Sequence, residues 1–106
     1  MTNIDQKIKT SLKKLHEAHI ESEKYYAKQV VLGEPTKPHD IYNMALAFDT
    51  EKKIYLELNL ARSEKFLGRF SAEEVESIKK EIEELSFNIK AWRNRKFPIQ
   101  YASENL

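Results

Sequence analysis

Cysteine is absent from this chain, so neither disulfides nor thiolate metal sites can hold it together. Glycine occurs twice and proline three times in 106 residues. A chain so poor in turn-forming residues has few turns, and long helices with few connections follow. No apolar run approaches the roughly 18 residues of a membrane-spanning helix, and the opening residues 1–5 lack the apolar stretch of a secretion signal. No membrane insertion and a cytoplasmic location are the expectations. An excess of one charge is missing as well: 18 Lys and Arg stand against 17 Asp and Glu, a formal net charge of +1. That balance exerts no global pull toward nucleic acid or an anionic membrane.

What is present is periodicity. Val75, Ile78, Ile82, Leu85, Ile89 and Trp92 recur at alternating spacings of three and four, which aligns them along one stripe of an α-helix. Glu73, Glu74, Glu76, Lys79, Lys80, Glu81, Glu83, Glu84 and Lys90 surround the stripe and solvate the other faces. Such a helix needs a partner surface, because helical propensity alone does not hold it in water. Its start is marked by Ser71 and Glu74, a capping box in which each side chain satisfies an amide at the other's position, with Phe70 and Val75 as the flanking hydrophobic staple. Pro98 sets its far limit near Lys96.

The pattern predicts a first helix over residues 4–32, capped by Thr2 or Asn3 and stopped at Gly33. Its apolar positions are Ile4, Ile8, Leu12, Leu15, Ala18, Tyr25, Tyr26 and Val30. The stripe breaks near residues 21–24, where His19 and Ser22 take places suited to a core. Pro35 and Pro38 then forbid helix. Asp40 opens a second helix running to about Leu67, whose start, residues 41–48, is apolar nearly all round and should be the most buried stretch. Ile41, Met44, Phe48, Tyr55, Leu58 and Phe66 form its stripe, interrupted by Glu51 and Arg62. The expected fold is all-α: three long helices in an antiparallel up-down-up bundle, or a helical hairpin plus a third helix. Residues 1–97 form one domain and residues 98–106 a short C-terminal tail, loosely held. Three rods leave much flank exposed, which favours a homodimer or a docked partner. Ile82 and Leu85 should be among the most buried residues.

Candidate chemistry is sparse. His16, His19 and Glu23 share a helical side, but neither other helix carries a matching carboxylate–histidine pair, so no metal site is assigned. No Gly-rich phosphate loop and no recognisable nucleophile setting occurs, so no catalytic residues and no cofactor are assigned, and a non-enzymatic protein is expected. Lys7, Lys9, Lys13 and Lys14 crowd the start of the first helix; in an up-down-up bundle they would neighbour, and salt-bridge, the acidic start of the third. The C-terminal segment is the most suggestive. Residues 73–85 hold six Glu and two Lys, net −4, whereas residues 86–106 hold four basic residues and Glu104, net +3. That gradient complements the helix dipole. Trp, Tyr and Arg also anchor protein interfaces, which makes Trp92, Arg93, Arg95, Lys96, Phe97 and Tyr101 the candidate partner-binding residues. Another protein is the expected partner, in the manner of an inhibitor, immunity factor or adaptor. The alternative is a small nucleic-acid-associated regulator using Lys90, Arg93, Arg95 and Lys96 with Trp92.

Residues 69–78, Arg-Phe-Ser-Ala-Glu-Glu-Val-Glu-Ser-Ile, resemble the start of the last helix in pediocin-like bacteriocin immunity proteins. Those are cytosolic antiparallel bundles of four helices ending in a mobile tail, where the first helix here shows no break. The resemblance implies a protective role exerted at a toxin's membrane receptor.

Overall fold

The computed structural model describes residues 3–33, 37 and 40–98. Three α-helices account for nearly all of them: α1 (Asn3–Tyr26), α2 (Asp40–Lys65) and α3 (Ala72–Arg93). No strand occurs among the described residues, so the fold is all-α, as the periodicity required. Thr2 lies outside the described residues and Asn3 is already helical. The last turn of the first helix widens into a π-helical turn, Ala27–Val31, closed by the Leu32 amide donating to the Ala27 carbonyl at 3.0 Å. Gly33 then leaves the helix at φ +66°, a conformation open to glycine at little cost.

Two turns of the sequence behave as their chemistry demands. Gly68, at φ +88°, sits between α2 and α3. Ser71 caps α3, its Oγ accepting from the Glu74 amide at 3.1 Å. The other end of α3 is unusual. The helix stops at Arg93, three residues short of Lys96, in a closure where the Arg95 amide donates to the Trp92 carbonyl and the Lys96 amide to the Ala91 carbonyl. This is a Schellman motif, and its left-handed position, where glycine is usual, is held by Arg95 at φ +57°.

The helices run up, down and up. On α1 and α2, Asp5 pairs with Lys65, His19 with Glu51, and Ser22 with Ala47, an antiparallel register. On α2 and α3, Tyr42 meets Phe97 and Asp49 meets Trp92, antiparallel again. Both outer helices pack on α2, and among the described residues they do not pack on each other. The reason lies in the geometry of α2. Ala47 faces α1 while Asp49 faces α3, and residues two apart on a helix point roughly 200° apart. Leu58 and Leu56, both buried, repeat the same opposition. The three helices therefore form an open row with α2 in the middle.

That row corrects three expectations. Residues 41–48 are not the most buried stretch: Phe48 is 37% exposed, and the deepest side chain is Leu58, at 1%. The stripe through Phe48, Tyr55 and Phe66 is partly exposed, because α1 covers only the edge of that face, where Tyr25 meets Phe48. Leu85 is buried as expected, but Ile82 is only half-buried, since α2 alone covers the seam. A fourth correction concerns the lysines of α1. No ion pair joins them to Glu73, Glu74 or Glu76 among the described residues, because α1 and α3 are held apart by α2.

The buried apolar core among the described residues is Ala47, Leu56, Leu58, Ala61, Leu85 and Ile89. Small side chains at Ala47 and Ala61 bring α1 and α2 close. Ser22, buried in that contact, donates its hydroxyl to the Ala47 carbonyl at 3.2 Å, which settles the polar group placed where a core residue would otherwise stand. Of the expected tail only Pro98 is described; residues 99–106 lie outside the described residues.

Candidate interaction surfaces

The C-terminal segment divides into two kinds of residue. Trp92 is half-buried, and its indole N–H donates to Asp49 Oδ2 at 2.7 Å. Its ring stands 6.3 Å from Tyr42 and 5.6 Å from Phe97, and Tyr42 and Phe97 are themselves 5.6 Å apart. These three rings fasten the end of α3 to the start of α2. The guanidinium of Arg95 lies over the Tyr42 ring at 6.0 Å, so the same cluster holds the left-handed residue. Arg93 and Lys96 are exposed, and Arg93 borders a cleft between α1 and α3. Tyr101 lies outside the described residues. The structure thus gathers Trp92, Arg95 and Phe97 into one cluster with Tyr42 and Asp49, two residues that sequence reasoning did not single out. The available signal was Trp92 itself, since a half-buried indole needs an acceptor.

A second surface lies between α1 and α2. There Leu12, Leu15, Phe48 and Tyr55 line a groove of about 520 Å³ bordered by His16, His19, Glu51 and Lys52. Leu12 is 45% and Tyr55 51% exposed. The groove arises from the helical repeat: Phe48 and Tyr55 are seven residues apart and share the uncovered face of α2, and Leu12 stands on the adjoining flank of α1. Farther along the same face comes Phe66, 47% exposed. From Phe48 to Phe66 the stripe spans about 27 Å at the rise of an α-helix.

The histidine that sequence reasoning weighed as a ligand has another role in this groove. His19 Nδ1 lies 2.6 Å from Glu51 Oε1 across the helix pair, and its Nε2 lies 3.2 Å from Glu23 on its own helix. A neutral imidazole can donate from one nitrogen only, so two carboxylates favour the protonated ring. The hydrogen bond to Glu51, and then that carboxylate's charge, hold the His19 pKa above its ordinary value; partial desolvation opposes them, and Glu23 adds a smaller upward push. Among the described residues no group of three or more His, Asp or Glu side chains is arranged to hold a metal ion.

None of the helices is long and apolar enough to cross a membrane among the described residues. The chain matches no family model, no curated protein and no solved structure. Residues 69–78, which carry the resemblance to immunity proteins, are here the α2–α3 turn and the capped start of α3.

Proposed function

We propose that this chain is a non-enzymatic helical interaction protein whose contact surface is the uncovered aromatic face of α2, and that it works as a homodimer through that face. The observation that carries this reading is the row itself. A folded domain sets one layer of secondary structure against another around a shared core. Three helices side by side are one layer, and Leu12, Phe48, Tyr55 and Phe66 stand exposed along it.

A second copy suits the face by its own arrangement. Isologous pairing of two antiparallel α2 helices about an axis near residue 57 sets Phe48 of one protomer opposite Phe66 of its partner. The same operation sets Glu51 opposite Ser63, one residue from Arg62, so the two charges that interrupt the stripe lie near each other across the interface. The C-terminal residues Arg93 and Lys96 stay outside this contact and remain available to a further partner.

Sedimentation velocity at tens of micromolar tests the reading. The wild-type chain should sediment as a dimer. The double variant Phe48→Lys, Tyr55→Lys should sediment as a monomer with its helical circular dichroism retained, since Tyr55 is half-exposed and Phe48, packed edge-on against Tyr25, keeps 37% of its surface in solvent. A wild-type chain that stays monomeric throughout that range overturns it.

A further inference from the structure

The opposite face of the row is concave, and it carries a different chemistry. Residues two beyond the exposed aromatics, Thr50 and Glu57, point roughly 200° away from Phe48 and Tyr55. They line a cleft of about 450 Å³ walled by α1 on one side and α3 on the other. Lys14 from α1, Lys53 from α2, and Lys90 and Arg93 from α3 border it. Glu57 is the one carboxylate in its lining, so the cleft carries four cations against one anion, a formal +3 in a chain of net +1.

Like most cations among the described residues, the four in the cleft have no carboxylate partner. Lys24, Lys52, Lys65 and Lys79 each pair with a carboxylate. Among the described residues Lys14, Lys53, Lys90 and Arg93 have no ion-pair partner, and neither does Glu57. The hydroxyls of Ser11 and Thr50, also in the lining, have no hydrogen-bond partner among the described residues. Three helices thus deliver unpaired positive charge and free hydroxyl donors to one cleft, a surface whose potential suits an anion.

We infer that this cleft binds a small molecule bearing a diphosphate or triphosphate group. The cleft has the volume of a small-ligand site rather than of a single tetrahedral anion. Lysines and an arginine supply charge-assisted hydrogen bonds to phosphate oxygens, and Ile54 and Ile89 give the cleft an apolar portion for the remainder of the ligand. No aromatic side chain lines it, so it lacks the stacking platform on which single-stranded nucleic acid is held. Glu57 opposes the anion and limits its affinity. The inference is independent of dimerisation, which uses the other face of the row.

Titration calorimetry on the full chain at low salt, with ATP and with inorganic triphosphate as probes, tests it. Both should bind, and both should weaken as salt rises. Lys53→Gln with Lys90→Gln should weaken each probe about tenfold or more. Lys53→Arg with Lys90→Arg should restore binding, which separates lost charge from a damaged fold. Glu57→Gln should tighten it, and Phe48→Lys with Tyr55→Lys should leave it unchanged. Absence of binding by both probes at millimolar concentration overturns the inference, as does binding that the paired glutamines do not change. A single-stranded RNA oligonucleotide that binds far more tightly than triphosphate, and is lost with the same two glutamines, also overturns it by making the cleft a nucleic-acid groove.

Discussion

On one side of α2, α1 packs against Leu58, Ala47 and Ala61 and adds polar contacts, Ser22 donating to a backbone carbonyl and His19 bridging to Glu51. On the other side, α3 is held by an aliphatic seam through Leu85 and Ile89, and by the Trp92 cluster at its end. The first interface contains a histidine whose pKa is raised by the carboxylates beside it; the second contains a heptad stripe. Their difference shows why one was easier to read. A helix with a single neighbour writes that neighbour into its sequence as one stripe, and α3 does so. A helix with neighbours on opposite sides must be apolar in two directions, and its pattern then resembles complete burial.

The largest effect expected is at the centre of the row. Leu58→Ala should cost about 2–5 kcal/mol, the range for deleting a fully buried aliphatic side chain, measured by urea denaturation. Leu85→Ala should cost nearly as much, and Ile82→Ala clearly less, because α2 only half covers Ile82. Equal costs at Leu85 and Ile82 would mean that α3 is enclosed on a second side.

Next comes the aromatic cluster. Asp49→Ala leaves the Trp92 indole N–H without its acceptor and should cost about 1–3 kcal/mol. The loss should appear in tryptophan fluorescence as well as in the melt. An unchanged emission spectrum would remove Asp49 from the account.

The α1 side of α2 predicts a pH dependence through His19. The folded-state pKa of His19 is raised, so its contribution is complete below the unfolded value of about 6.5 and is lost as pH rises through the higher folded value. The chain should be more stable at pH 6 than at pH 8, and His19→Gln should reduce that difference. Denaturation midpoints that fall equally with pH in both proteins would detach His19 from the effect.

The smallest effect concerns Arg95. Its left-handed backbone carries a steric cost that glycine avoids, while its guanidinium over Tyr42 returns part of it at an exposed site. Arg95→Gly should raise stability by a few tenths of a kcal/mol, on the order of the difference between those two terms. A loss of stability would show that the stacking on Tyr42 outweighs the strain.

Much of the architecture was legible in the residues. Three helices, the Ser71 cap, the stop at Gly33 and the seam of α3 all follow from local rules of period and capping. Ser22 was visible as a break in the stripe of α1, though not as a buried donor. The relative placement of α1 and α3 around α2 was not legible, because helical period says which side chains are apolar and not which neighbour covers them. Phe48 and Tyr55 therefore read as core and stand at the surface. Among the candidate partner-binding residues, the aromatic–basic composition was plain, but the pairing of Trp92 with Asp49 joins positions 43 residues apart, beyond the reach of any local pattern. The left-handed Arg95 had no signal at all, since glycine is the residue that announces such a turn.

The open row can be measured directly, because a chain without cysteine accepts spin labels at two chosen sites. Lys13 on α1 and Glu84 on α3 are both exposed and lie at similar levels of the row. Pulsed electron–electron resonance on Lys13→Cys, Glu84→Cys, diluted into unlabelled protein, reads their separation within one chain. Two interhelical spacings of roughly 8–10 Å, with both labels on outward faces, predict about 25 Å or more. A distribution centred below about 20 Å, as expected when three helices close into a triangle at single spacings, would contradict the row and with it the uncovered face of α2.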